Sequence, residues 1–149
     1  MLEIATTETV NGDSQAAAWF YNISATVGLG RANNRVDVKL VQYLLMRLFD
    51  RWKAIRPPGP AISVDGFCGP ITARYITQFQ RRVWPSIADG VVNRAYKPNN
   101  TSRTIVGLNL VYNAQFGDLN DPWAADPTMD GELAWAMYGA TTQASSTAA

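Results

Sequence analysis

The sequence predicts a mainly α-helical fold, with three helices joined by short extended links and flanked by an N-terminal and a C-terminal arm. Apolar residues in the middle of the chain recur at spacings of three and four, as they do on the buried side of a helix. Glycine and proline clusters separate these stretches. The chain has 149 residues, 47% of them hydrophobic, which suffices for one domain with a core.

We divide the chain into an N-terminal arm (1–23), a central domain (24–116) and a C-terminal arm with a disordered tail (117–149). Residues 1–15 are polar and predict an arm that is flexible or adds a strand. Residues 16–29 are rich in β-forming aromatic and branched side chains before glycines end the run.

The first helix is predicted from Val38 to about Lys53. Asn33, Asn34 and Asp37 precede or open it and are residue types that cap helix N-termini. The apolar face of this helix consists of Val38, Val41, Leu45, Leu48 and Trp52. The segment 56–60, Arg-Pro-Pro-Gly-Pro, then forms a rigid connector because proline cannot continue a helix.

The second helix is predicted to follow a turn at Asp65-Gly66. Gly69-Pro70 opens it, since proline at the first helical position loses no hydrogen bond. Trp84-Pro85 ends it, because the residue before a proline disfavours helix. The predicted inward face consists of Thr72, Ile76, Phe79 and Val83.

A second turn at Asp89-Gly90 leads to the third predicted helix, capped by Thr101 or Ser102. Its inward side chains are Ile105, Leu108 and Tyr112. Beyond Gly117, residues 132–138 predict a short amphipathic helix. Residues 141–149 are low in complexity and predict disorder.

The net charge of +1 conceals a segregation of charge. Residues 31–103 carry +9, whereas residues 1–30 carry −3 and residues 104–149 carry −5. Either the acidic ends fold back on the basic body, or the body faces an anionic partner, or the segregation is a chance property of a solvated surface. The small overall charge argues against a nucleic-acid-binding protein.

The chain has no histidine and one cysteine, Cys68, which excludes several function classes. The chain lacks the histidine and cysteine ligands of a zinc site and the histidine base of a Ser-His or Cys-His nucleophile system. With one cysteine it cannot form an internal disulfide. We therefore expect no metal, no cofactor and no catalytic residue. Cys68 itself is expected to be a small buried apolar residue.

No stretch approaches the ~20 apolar residues of a membrane span. The N-terminus is acidic and polar, unlike an export signal. We expect a protein made in the cytoplasm, with no membrane span.

The turn and the second helix carry the pattern D-G-x-x-G-P-x-T followed by F-Q. Its residues are Asp65, Gly66, Gly69, Pro70, Thr72, Phe79 and Gln80, and a looser second copy begins at Asp89 and Gly90. With the apolar pattern of the helices, residues 24–112 resemble the peptidoglycan-binding-domain-like family of small three-helix modules, in its branch associated with phages and contractile particles. In the second copy, Asn93-Arg94-Ala95-Tyr96 stands where the family has G-P-x-T.

The resemblance implies non-catalytic binding of peptidoglycan, through its glycan or its stem peptides. Aromatic rings stack on sugar faces, and arginine forks pair with carboxylates. The candidate surface residues for this contact are Tyr43, Arg47 and Arg51 on the first helix, and Arg74, Tyr75 and Gln78 on the second. The alternative for each is an ordinary solvated helix face.

A second interpretation is a structural or assembly protein of a phage tail or contractile injection particle that uses the same fold to dock other subunits. Such a protein would reach the cell wall inside a particle. The arms, outside the family pattern, are crowded with aromatic residues: Trp19, Phe20, Tyr21, Trp123, Trp135 and Tyr138. These must pack on the body or on a neighbouring subunit.

A third interpretation is a wall hydrolase with paired carboxylates. The acids near the body are Asp37, Asp50, Asp65 and Asp89, and they occupy positions typical of caps and turns. The sequence therefore favours binding or docking over hydrolysis.

Overall fold

A computed structural model describes residues 2–6, 19–52, 55–95, 103–117 and 126–147. The described chain is mainly helical, which confirms the predicted class. Its elements are strands β1 (Glu3–Thr6) and β2 (Trp19–Asn22), helices α1 (Arg35–Arg51), α2 (Pro70–Val83), α3 (Arg103–Phe116) and α4 (Gly131–Thr147), and a 3-10 turn at Pro85–Ile87. Within the described ranges, no helix has both the length and the apolar content that a bilayer crossing demands.

Helix α1 is the centre of the fold, because α2, α3 and α4 all contact it. The predicted apolar faces of the first three helices are buried, and Trp52 and Val83 lie half-buried at helix ends. The fully buried side chains of these helices include Leu44, Leu45, Leu48, Ile76, Phe79, Ile105 and Tyr112. Together they form one hydrophobic core.

The start of α1 differs from the prediction. The helix begins at Arg35, three residues before the predicted Val38. Asn34 occupies the N-cap position, as predicted, but its side chain makes no capping hydrogen bond. Asp37 lies inside the first turn, is 1% exposed, and accepts hydrogen bonds from the backbone N–H groups of Ser24 (2.9 Å) and Ala25 (3.1 Å). Asp37 therefore ties the preceding segment to the helix instead of capping it.

The boundaries of α2 follow the prediction. Gly69 is its N-cap residue and Pro70 its first helical residue. The helix ends at Val83, and Trp84 closes it with a backbone N–H bond to the carbonyl of Gln80 (2.7 Å).

The N-terminal arm adds a strand to its own chain. β1 pairs antiparallel with β2, so that Glu3 faces Asn22 and Thr6 faces Trp19. β2 lies against α3, and its Phe20 is buried in the core. Of the two predicted alternatives for this arm, strand addition is confirmed for 3–6, and residues 7–18 lie outside the described ranges.

Helix α4 is longer than predicted and overturns part of the predicted disorder. It runs to Thr147, so residues 141–147 are helical, while residues 148–149 lie outside the described ranges. Leu133, Met137 and Ala140 are buried on one side of it. Once these turns are packed, the following residues, which include no proline or glycine, can extend the helix without forming a new nucleus, which low complexity alone does not reveal.

Two acids of the C-terminal segment, Asp130 and Glu132, pair with the basic body. The ammonium of Lys39, which is 4% exposed, lies 2.9 Å from Asp130 and 3.1 Å from Glu132, and Glu132 also pairs with Arg35 (2.9 Å). Burial alone would lower the pKa of Lys39, but the bonds to the two carboxylates raise it above its usual value. In this region the segregated charges follow the first predicted alternative, in which an acidic end folds back on the basic body.

Candidate binding groove

Two Asp-Gly turns are held by buried glutamine side chains. At the first turn, Gln42 is 1% exposed, and its side-chain oxygen accepts the backbone N–H groups of Asp65 (3.0 Å) and Gly66 (2.9 Å). Its amide nitrogen shares its hydrogens among Oδ1 of Asp65 (2.9 Å), the carbonyl of Phe67 (3.0 Å) and the hydroxyl of Thr72 (3.0 Å). One side chain thus joins α1, the turn and the start of α2.

At the second turn, Gln80 on α2 repeats this arrangement. Its oxygen accepts the backbone N–H of Gly90 (2.9 Å). Its nitrogen contacts Oδ1 of Asp89 (3.2 Å), the carbonyl of Val91 (3.0 Å) and the hydroxyl of Thr104 (3.0 Å). The prediction that Gln80 bonds backbone between elements is therefore confirmed, and the second turn is fixed between α2 and α3.

Both turns require glycine. Gly66 has φ +83° and Gly90 has φ +73°, in the left-handed region that favours glycine. A Cβ at position 90 would lie 2.9 Å from the hydroxyl of Thr77, so α2 and the second turn approach closely. Cys68, next to the first turn, is half-buried, and burial raises the pKa of its thiol.

A groove of about 720 Å³ lies beside α2, at the second turn. Its walls are α2, residues 89–91 and the loop at 28–31, which a two-way backbone pairing of Val27 with Val92 holds in place (2.9 and 2.8 Å). Arg74, Gln78 and Arg81 line it from α2, at spacings of four and three that put them on one side of the helix.

Arginines dominate the charge of the groove. Arg31, Arg74 and Arg81 are exposed, and none forms an ion pair with a carboxylate in the described ranges. The acidic residue in the lining is Asp89, whose Oδ1 already accepts hydrogen bonds from Gln80 and from the Val91 backbone (3.0 Å). The groove thus presents three guanidinium groups and one carboxylate, and that carboxylate is already hydrogen-bonded within its own turn.

The structure places the six predicted contact residues in different parts of the molecule. Arg74 and Gln78 line the groove, whereas Arg47 and Arg51 lie elsewhere, with their guanidinium groups 4.4 and 4.9 Å from the ring centre of Phe116. Arg47 also borders a second cavity of about 380 Å³, beside Tyr75 and Asp50.

The prediction that Tyr43 and Tyr75 lie on the surface is wrong. Tyr43 is 1% exposed, and its hydroxyl bonds the carboxylate of Asp126 (3.0 Å) and lies 3.3 Å from the hydroxyl of Tyr112. Burial, with these neighbours, raises the pKa of Tyr43. Tyr75 is 3% exposed, and its hydroxyl donates to the carbonyl of Pro60 (2.9 Å). Neither ring is available for stacking on a sugar.

Two groove residues were not among the predicted contacts. Arg81 follows Arg74 by seven positions, so helical spacing alone could have found it. Arg31 has no such signal, because its place depends on the pairing of Val27 with Val92, 65 positions along the chain.

No family model, curated protein or solved structure matches this chain. The described ranges also contain no group of three or more His, Cys, Asp or Glu side chains placed to hold a metal ion. The function therefore has to be argued from the geometry of the groove.

Proposed function

We propose that this chain is a non-catalytic module that binds peptidoglycan, with a three-helix body of the peptidoglycan-binding-domain-like type formed by α1, α2 and α3. The observation that carries the proposal is the set of three groove arginines, none of which pairs with a carboxylate among the residues that the structure describes. The turn pattern from Asp65 to Thr72, with Gln80 holding its second copy, supports the fold assignment.

The chemistry of the groove suits an anionic ligand. A guanidinium group binds both oxygens of a carboxylate, and the peptide and muramyl groups of the wall polymer carry carboxylates. Arg31, Arg74 and Arg81 are solvent-exposed, so each pairing contributes only about 0.2–1 kcal/mol and weakens with salt. Binding should therefore be moderate and salt-dependent.

Sedimentation with purified sacculi tests the proposal. Arg81→Ala is expected to lower the bound fraction, corresponding to about a threefold weaker affinity, and adding Arg74→Ala should weaken it further. Arg82→Ala is the matched control, because Arg82 is the next residue on α2 but stacks on Trp52 outside the groove lining. No sedimentation of the native protein in about 0.1 M salt would refute the proposal, as would equal losses for Arg81→Ala and Arg82→Ala.

The proposal includes no bond cleavage. Dye-labelled sacculi incubated with the protein are expected to release no dye above the buffer control. Release that survives repurification of the protein would instead favour the hydrolase interpretation.

A specific observation also favours the second candidate function, subunit docking in a phage tail or contractile injection particle. On α4, Trp135 and Tyr138 are 66% and 48% exposed, and their rings meet edge to face with centres 6.0 Å apart. Exposed aromatic pairs are typical of protein interfaces. Sedimentation velocity tests whether copies of this chain dock through this surface. We expect self-association that Trp135→Ala abolishes, whereas a monomer at all concentrations would contradict docking between copies.

A further inference from the structure

We infer that the groove recognises carboxylates of the wall's stem peptides and not its glycan strand. This inference rests on the proposed function and names the part of the polymer that the groove takes. It depends on three properties of the lining: the spacing of the arginines, the absence of an aromatic ring, and the small apolar side chains and the amide that lie beside the arginines.

The spacing of Arg74 and Arg81 fits a peptide. Seven residues along a helix correspond to about 10.5 Å. An extended peptide rises about 3.3 Å per residue, so two carboxylates about three residues apart match the spacing of the two arginine positions along the helix. Arg31 approaches from the loop on the other wall and supplies a third donor.

A glycan would find no stacking partner in the groove. None of its lining residues, all of which belong to the described ranges, is aromatic. The two tyrosines of the predicted contact set, Tyr43 on α1 and Tyr75 on α2, are both buried. A sugar ring would therefore meet only arginine, aliphatic and small polar side chains.

The rest of the wall suits a peptide with small side chains. Leu29, Ala73 and Val91 supply apolar surface of a size that alanine methyl groups can contact. Gln78 is half-buried and its side chain makes no hydrogen bond within the described ranges, so its amide can both donate to and accept from a peptide backbone. The carboxylate of Asp89 already accepts hydrogen bonds from Gln80 and from the Val91 backbone. It repels ligand carboxylates close to it, so ligand carboxylates bind better beside the arginines.

Calorimetry with soluble wall fragments tests the inference. The probes are a stem peptide with free carboxylates, the same peptide with its carboxylates amidated, and peptide-free glycan strands that keep their muramyl carboxylate. We expect the free-acid peptide to bind and to displace the protein from sacculi. Amidation should weaken binding at least tenfold, and the glycan should not compete.

A spacing series sharpens the test. A peptide with carboxylates three residues apart should bind more tightly than an isomer with adjacent ones, and Arg74→Ala combined with Arg81→Ala should remove the difference. Arg74→Lys keeps the charge and should retain only part of the affinity, because an ammonium cannot form the two-point contact.

Separate outcomes overturn the inference and the proposed function. Glycan strands that compete as well as the free-acid peptide, or amidation without effect, overturn the inference while sacculus binding stands. Peptide binding that depends on the carboxylates, without binding to sacculi stripped of other anionic polymers, overturns the proposed function and leaves the peptide preference supported.

Discussion

The two glutamine-held turns make nearly the same hydrogen bonds from different sequences. At the first turn, Thr72 follows Asp65 by seven positions, through Gly69-Pro70 at the helix start. At the second turn, Thr104 follows Asp89 by fifteen positions and has no Gly-Pro before it. The threonine hydroxyl nevertheless lies 3.0 Å from the glutamine nitrogen in both.

The comparison shows which part of the pattern is structural. What recurs is a buried amide, a left-handed glycine and a threonine in the first turn of the next helix. The number of residues between the glycine and the threonine differs between the two turns. This difference is tolerated because a longer link adds little to the entropic cost of closing the loop. The turns also differ in surroundings: Phe67 beside the first is 70% exposed, whereas the second turn forms a wall of the groove.

The largest expected effect is the loss of either glutamine. Gln42→Leu removes five hydrogen bonds of a buried side chain and Gln80→Leu removes four, which leaves buried backbone groups without partners. We expect each to lower the free energy of unfolding by about 3–5 kcal/mol, with the larger loss for Gln42. Urea unfolding measures this.

Gln78→Leu is the matched control on α2. The side chain of Gln78 makes no hydrogen bond in the described ranges, so its replacement should change the free energy of unfolding by about 0.5 kcal/mol or less. If Gln80→Leu costs no more than this control, the second turn is not held in the way we describe.

The next largest effect concerns the close approach at the second turn. Gly90→Ala combines left-handed strain with a contact of 2.9 Å to the Thr77 hydroxyl, and we expect a loss of about 2–3 kcal/mol. Gly30→Ala, with φ +70° and no atom within 4 Å of the added Cβ, should cost only the strain of about 1–2 kcal/mol. Thermal unfolding of the two variants measures the difference in their free energies of unfolding. Equal losses of stability would contradict the close approach at Gly90.

A smaller effect separates the two threonines. Thr72→Val and Thr104→Val keep the shape of each buried side chain but remove the hydroxyl that accepts from the glutamine. Each should lose about 1–2 kcal/mol. Equal losses would support the equivalence of the two turns despite their different lengths, whereas a neutral Thr104→Val would restrict the arrangement to the first turn.

The smallest expected effect depends on pH. The backbone N–H of Phe67, together with Gln42, lowers the pKa of Asp65 below its usual value, although burial opposes this. A carboxyl with a lowered folded-state pKa contributes its full stability above its unfolded pKa, near pH 4, and loses it as pH falls through the folded value. Because Asp65 is exposed, solvent screening keeps the contribution small.

Asp65→Asn isolates this contribution. Its urea midpoint should decline less than that of the native protein between about pH 5 and pH 3, since an amide does not titrate in this range. The acids on the C-terminal segment titrate in both proteins and cancel in the difference. Identical slopes would show that the turn does not depend on the charge of Asp65.

Local patterns in the sequence predict the helices well and the exposed residues less well. Gly-Pro and Trp-Pro fix the ends of α2 because their effects are confined to neighbouring residues. Periodicity failed for Tyr43, since it assumes one buried face while α1 is contacted by three other helices. Helical spacing predicted Arg74 and Gln78 among the groove residues. It did not predict Arg31, because the pairing that places this residue joins distant parts of the chain.

The buried ammonium of Lys39 has a consequence for the order of folding. Its acidic partner Asp130 lies 91 positions further along the chain, so Lys39 lacks this partner while the C-terminal segment of a nascent chain is still inside the ribosome, and its ammonium then has to stay hydrated. A buried charge without a partner is strongly unfavourable. We therefore expect α1 to reach its final packing only when α4 docks, which makes the native state of the central helix a late event of synthesis.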